Sequence, residues 1–125
     1  MSVWKPSYLV HGDDHGRIAE RRANLRRKAE AEAGAHGVES LEGEAAGPAR
    51  VAEALSAMTF TMGRRFVVVD GVERWKDADV KRHITPALAI PDPGTTVAFF
   101  GSDDGRVKTP KALVDAVTSN GGTVG

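Results

Sequence analysis

Short apolar runs alternate with longer amphipathic stretches along this chain, and that alternation predicts its elements. Ser7 to His11 is an apolar run stopped by Gly12, as expected of a buried strand. Asp13 and Asp14 then offer capping oxygens for a long helix from His15 to Ala33, which Gly34 and Gly37 end. Val38 to Leu41 reads as a weaker second strand. Gly47-Pro48 opens a helix over Ala49 to Ala57, with Val51, Leu55 and Met58 on one face. Phe66-Val-Val-Val69 is apolar throughout and β-branched, the pattern of a strand covered on both sides. Asp77 to Leu88 predicts a helix with a break near Pro86, and Pro91 to Gly94 is turn chemistry. Thr95 to Phe100 is the fourth strand. Thr109 and Pro110 start a helix that turns Leu113, Val114 and Val117 inward, Asn120-Gly-Gly122 ends it, and Thr123-Val124 begins a last strand.

Strands alternating with helices imply an α/β fold with a five-stranded, mainly parallel sheet covered on both faces. The 125 residues suffice for one domain, residues 1–125, and are too few for two. The chain stops at Gly125 almost inside its fifth strand, so a piece of a longer protein is expected. Seventeen basic and seventeen acidic side chains cancel, so no global field draws the chain to DNA or to an acidic membrane. Without cysteine there are no disulfides, thiolate zinc sites or cysteine nucleophiles. No signal-like apolar run opens the chain, and no stretch approaches the roughly 18 apolar residues of a membrane span. A cytoplasmic location without membrane contact is the expectation.

Ligands of parallel α/β sheets sit at the carboxyl ends of the strands. Those ends here are His11-Gly-Asp-Asp-His-Gly16, Asp70-Gly-Val-Glu73 and Gly101-Ser-Asp-Asp104. A phosphate-binding loop needs glycines whose amides wrap the phosphates, a lysine to neutralise them and a hydroxyl for magnesium. At that position Gly12 is followed by Asp13 and Asp14, Gly16 is misplaced, and Arg17 precedes Ile18 rather than a hydroxyl. Two carboxylates would repel a triphosphate, so the loop reads as degenerate and no nucleotide cofactor is expected. Phe66-Val-Val-Val-Asp70 has the form of a strand-plus-aspartate magnesium site, but without a phosphate loop Asp70 reads as a turn or cap residue. His11 and His15 flank two aspartates, yet Gly12 puts His11 before the helix, so the i, i+4 spacing does not bring the imidazoles together and no metal site is expected.

The first helix is basic through Arg17, Arg21, Arg22, Arg26, Arg27 and Lys28, interleaved with Glu20, Glu30 and Glu32. Its simplest reading is a solvated face with ion pairs worth a few tenths of a kcal/mol each. The cluster Arg26-Arg27-Lys28 is the part that could instead meet DNA or an acidic partner. A second unusual stretch joins a helix to a buried strand, where polar residues are expected: Met58, Phe60 and Met62 alternate with Thr59 and Thr61. Alternation can turn some of these outward, where each buries apolar area worth on the order of 2 kcal/mol in a partner's pocket. The other possibility is that they fold back onto the core.

The order of these features resembles one family. Tyr8-Leu-Val-His-Gly-Asp-Asp14 is similar to the Tyr-Leu-Leu-x-Gly-Glu/Asp-Asp/Glu opening of delta subunits of the bacterial sliding-clamp loader. Ala54 to Asp70 is similar to that family's helix end, clamp-contact loop and following strand, and Thr96 to Phe100 fits its fourth strand. The resemblance spans nearly the whole chain in order and spacing. It implies a three-layer AAA+ domain with a degenerate phosphate loop, not an enzyme by itself, within the DNA polymerase III holoenzyme. It further implies that the domain binds and opens the sliding clamp (the beta subunit), works with other loader subunits, and meets DNA through the assembled complex. The lid and collar domains of the family would lie outside these residues. The family's clamp contact is an apolar pair, typically Leu-Phe, within the segment Met58, Thr59, Phe60, Thr61 and Met62; by position it falls on Phe60 and Thr61, of which Phe60 matches and Thr61 does not. Met62 is the candidate second anchor; without it the contact would be weaker than in the family.

A phosphoacceptor receiver domain is the alternative. It needs two acids after strand one, an aspartate acceptor after strand three and a hydroxyl after strand four, for which Asp13, Asp14, Asp70 and Ser102 are in order. It also needs a lysine after strand five to stabilise the phosphoryl group, and none is there.

Overall fold

The structure, a computed structural model, describes residues 4–57, 63–90 and 93–125. Strands β1 (Ser7–Gly12), β2 (Val38–Leu41), β3 (Arg65–Asp70), β4 (Thr95–Ser102) and β5 (Thr123–Val124) form one sheet in the order β2-β3-β4-β1-β5. Every neighbouring pair is parallel. The chain is thus the α/β domain expected, with its sheet parallel throughout.

The helices are α1 (His15–Ala33), α2 (Pro48–Ser56), α3 (Asp77–Asp79), α4 (Thr85–Ala89) and α5 (Lys111–Ser119). The expected helix from Asp77 to Leu88 is α3 and α4 joined by a π-helical turn, Val80–Ile84. Pro86 has no N–H to give the preceding turn and its ring crowds that turn's carbonyl, which a widened turn relieves.

The sheet's two faces are packed unequally. On one, Leu9, Val67, Val69, Val97 and Phe99 meet side chains of α2, the α3–α4 segment and α5. Trp75 closes this core, lying edge-on to Phe99 at 5.8 Å and donating its indole N–H to the Ala46 carbonyl at 2.7 Å. On the other, Val10, Val68, Ala98 and Phe100 meet Ile18 and Leu25 of α1. The β3 run Phe66 to Val69 is buried on both faces because alternate side chains enter opposite layers.

Two caps differ in source. Asp14 caps α1, its Oδ1 accepting from the Arg17 amide at 3.0 Å. Thr109 does not cap α5, whose first helical residue is Lys111 rather than Pro110. Instead Asp77 accepts from the Ala112 amide at 2.9 Å, so a distant carboxylate meets the helix's positive end.

Gly101, near the end of β4, is enclosed: a β-carbon there would strike the Thr109 hydroxyl and stand 3.2 Å from Val72. Gly101→Ala should therefore destabilise the domain by about 2 kcal/mol through overpacking. Urea unfolding should show a lower midpoint at unchanged slope.

Candidate functional site

Parallel pairing sets Gly12, Asp70 and Ser102 at one end of adjacent strands, since Gly12 pairs with Ser102 and Asp70 with Phe100. This is the end at which α/β sheets bind ligands. Two residues, Asp13 and Asp14, separate β1 from α1, and Gly16 already lies in the first helical turn. The Arg17 amide, one of those that could face an anion, is held by Asp14. Asp13 is exposed.

Asp70 is matched to a cation of the same chain. Arg22 reaches from the second turn of α1 and places Nη1 2.9 Å from Asp70 Oδ1, both side chains about one-third exposed (31% and 33%). The sequence presents Arg22 as one of several helix cations and carries no signal that singles it out; only the packing of α1 over β3 reveals the pair. A magnesium ion at Asp70 would have to compete with this guanidinium.

The third strand end is the most connected. Asp103, with a side chain only 16% exposed, accepts at Oδ1 from the Thr109 amide at 2.8 Å and from its hydroxyl at 2.6 Å. Its Oδ2 lies 3.4 Å from His11 Nδ1. Its carbonyl accepts from His15 Nε2 at 2.7 Å, and its amide donates to the Gly12 carbonyl at 2.7 Å. The loop after β4 is thus fastened to the loop after β1, across the mouth where a phosphate would enter. Both histidines take part, each through its own contact with Asp103. Among the described residues no three His, Asp or Glu side chains form a metal-binding group.

Burial disfavours the Asp103 anion, but the Thr109 hydroxyl, the Thr109 amide and the His11 ring together outweigh it and hold the carboxyl below its usual range. Nearby, Asp104 accepts from the Arg106 and Val107 amides, which lower its carboxyl as well. Glu73 accepts from the Ser102 amide at 3.0 Å and fixes the end of β4.

The basic cluster stands apart. Arg26, Arg27 and Lys28 are exposed on α1, with Arg27 donating to Asn24 at 3.0 Å. The apolar connector Met58, Thr59, Phe60, Thr61 and Met62 lies outside the described residues.

The receiver alternative is not supported by this topology. Receivers place the first strand between the second and third, whereas β1 here lies between β4 and β5. The aspartate that would accept the phosphoryl group is the one paired with Arg22.

The fold is an α/β domain with a five-stranded, all-parallel sheet whose strand ends are joined by the contacts above. No family model matches the chain, and no curated protein matches it. Among solved structures it is similar to the crystal structure of a DNA polymerase III gamma subunit-related protein from Thermotoga maritima, with a TM-score of 0.61 and 16% identity. The alignment covers 97% of this chain and 41% of that one, so the chain spans about two-fifths of its neighbour's length. At this identity the likeness is one of fold.

A carboxylate whose pKa is lower in the folded than in the unfolded state stabilises the fold above its unfolded pKa and loses that effect as pH falls through the folded one. Asp103→Asn should cost about 2 kcal/mol near neutral pH, where charged hydrogen bonds are lost. The gap from wild type should close as pH drops below the ordinary value of 3.8. Urea titrations of both proteins across acidic pH check this, and Asp104 cancels in the difference.

Proposed function

We propose that this chain is a non-catalytic clamp-loader domain that binds the sliding clamp and helps to open it for loading onto DNA. The observation that carries the reading is a clamp-loader-like fold whose ligand end is filled by its own side chains: the Asp14 cap, the Arg22–Asp70 pair and the Asp103 fastening. A domain so arranged is suited to act through its surface rather than through nucleotide turnover. The delta-type assignment rests on the sequence resemblance of Tyr8 to Asp14 and of Ala54 to Asp70. In this reading residues 1–125 are the first domain of a loader subunit, and its partners are the beta clamp and the other loader subunits. It works in the cytoplasm, and DNA is met through the assembled complex, with Arg26, Arg27 and Lys28 as candidate contacts.

The clamp contact is assigned to Met58 through Met62. Phe60 supplies the aromatic anchor, and Met62 replaces the second apolar residue that Thr61 does not provide. Buried aromatic anchors carry a large share of interface energy.

Titration of the purified clamp should show binding by the domain and by a peptide spanning Ala57 to Phe66. Phe60→Ala should weaken it at least tenfold, about 1.4 kcal/mol. Unchanged affinity would remove the clamp assignment. Separately, magnesium and ATP should leave the unfolding temperature of the domain unmoved, because a ligand that binds the folded state raises it. A nucleotide-dependent rise would refute the claim that the strand ends are closed to nucleotide.

A further inference from the structure

A second surface lies on the sheet face that, among the described residues, α1 is the one helix to cover. Parallel sheets are normally covered by helices on both sides. Among the described residues, the face carrying Val10, Val68 and Phe100 has one helix, against several helical segments opposite. Between α1 and β1 this leaves an open groove of about 500 Å³. Tyr8, Val10 and Leu25 form its apolar part, and both Tyr8 and Leu25 are only half-buried.

The rim is charged with one dominant sign. Arg17, Arg21 and Lys28 line the groove, against the single carboxylate of Glu20. The steps of four from Arg17 to Arg21 and of seven from Arg21 to Lys28 lie close to whole helical turns, so the cations share one face of α1. All three are exposed, and among the described residues none of them makes an ion pair. Arg22, the neighbouring cation, is already neutralised by Asp70 and lies outside the groove lining.

We propose that this groove docks an acidic amphipathic helix of a partner protein. The lined stretch of α1 is about 16 Å long, three helical turns. A helix laid along it would bury apolar residues one turn apart against Tyr8, Val10 and Leu25, and set carboxylates against Arg17, Arg21 and Lys28. A second copy presenting the same groove would oppose like charges. Single-stranded nucleic acid would need free aromatic faces for its bases. Trp4, at the end of the groove, instead sits edge-on between Tyr8 at 6.3 Å and Phe66 at 4.6 Å. Another large cleft, between α4 and α5, is lined by both Lys81 and Asp115 and selects no sign of charge.

This inference does not depend on the clamp reading, since its residues and those of Met58 through Met62 are tested separately. The experiment uses the whole 125-residue protein and two designed helical peptides with leucines one turn apart, one flanked by glutamates and one by lysines. Calorimetry should show the glutamate peptide binding at least tenfold tighter than the lysine peptide, with affinity falling as salt rises. Amide shifts in NMR spectra should centre on Tyr8, Val10, Asn24 and Leu25. The double variant R21E/K28E, changed only at exposed positions and checked by circular dichroism, should reverse the preference. Equal affinity for both peptides, or no binding at millimolar peptide, would overturn the proposal. So would shifts centred on Lys81, Leu88 and Ala116, tighter binding of a thymidine oligonucleotide than of the glutamate peptide, or self-association that R21E/K28E abolishes.

Discussion

A carboxylate largely shielded from water must be satisfied or protonated, and the way Asp103 is satisfied organises the ligand end of this sheet. Burial alone would raise its pKa; two donors from Thr109 and the His11 ring reverse that, so the anion is the stable form. Each of those contacts joins a different part of the chain. Thr109 leads into α5, His11 lies next to the end of β1, and the backbone of Asp103 engages Gly12 and His15. Gly101 is part of the same constraint, because the Thr109 hydroxyl can reach Asp103 only where no β-carbon stands in its way. The arrangement needs the parallel register that sets β1 directly beside β4. With that register in place, the mouth of the sheet is drawn closed by hydrogen bonds rather than held open by glycine amides.

Most of the architecture was legible in the chain because local patterns and global burial agree. The apolar run Phe66 to Val69 announces a strand buried on both sides, and the strand has no other stable position in a parallel sheet. Asp14 before a long amphipathic stretch announces a cap, and its side chain makes that bond. What stayed hidden depends on side chains meeting across long sequence separations. Asp77 capping α5 and Arg22 reaching Asp70 are such cases; at each position the residue type suits many roles, and only the packing chooses one. Thr109 is the opposite case. Its place before Pro110 suggests a cap, but the nearby Asp103 carboxylate competes for its hydroxyl and wins with a charged hydrogen bond. At the candidate site, the positions of the strand ends could be read directly, whereas the cation on Asp70 could not.

The charge balance of the chain is consistent with this division. Seventeen cations and seventeen anions leave no net field, so any selectivity must come from how they are placed. Arg22 is neutralised within the fold, and Arg65 is buried against Glu39 at 3.0 Å. Lys28 and Arg26 stay exposed on α1. The cations that the fold uses internally lie next to the sheet, and α1 carries a run of outward ones in Arg21, Arg26, Arg27 and Lys28.

Under the proposed reading, opening this end to a phosphate would take several changes, because its contacts support one another. Removing Arg22 would free Asp70, but the α1 amide at Arg17 would still be held by Asp14. Removing Asp14 would release that amide and cost the helix its cap, about 1 kcal/mol. Even then only two residues would join β1 to α1, too few to wrap a phosphate group with backbone amides. Lengthening the loop would in turn disturb the Gly12 and His15 contacts that hold Asp103. Each of these changes removes an interaction that stabilises the present fold, so the strand ends form a self-consistent arrangement rather than a set of separate contacts.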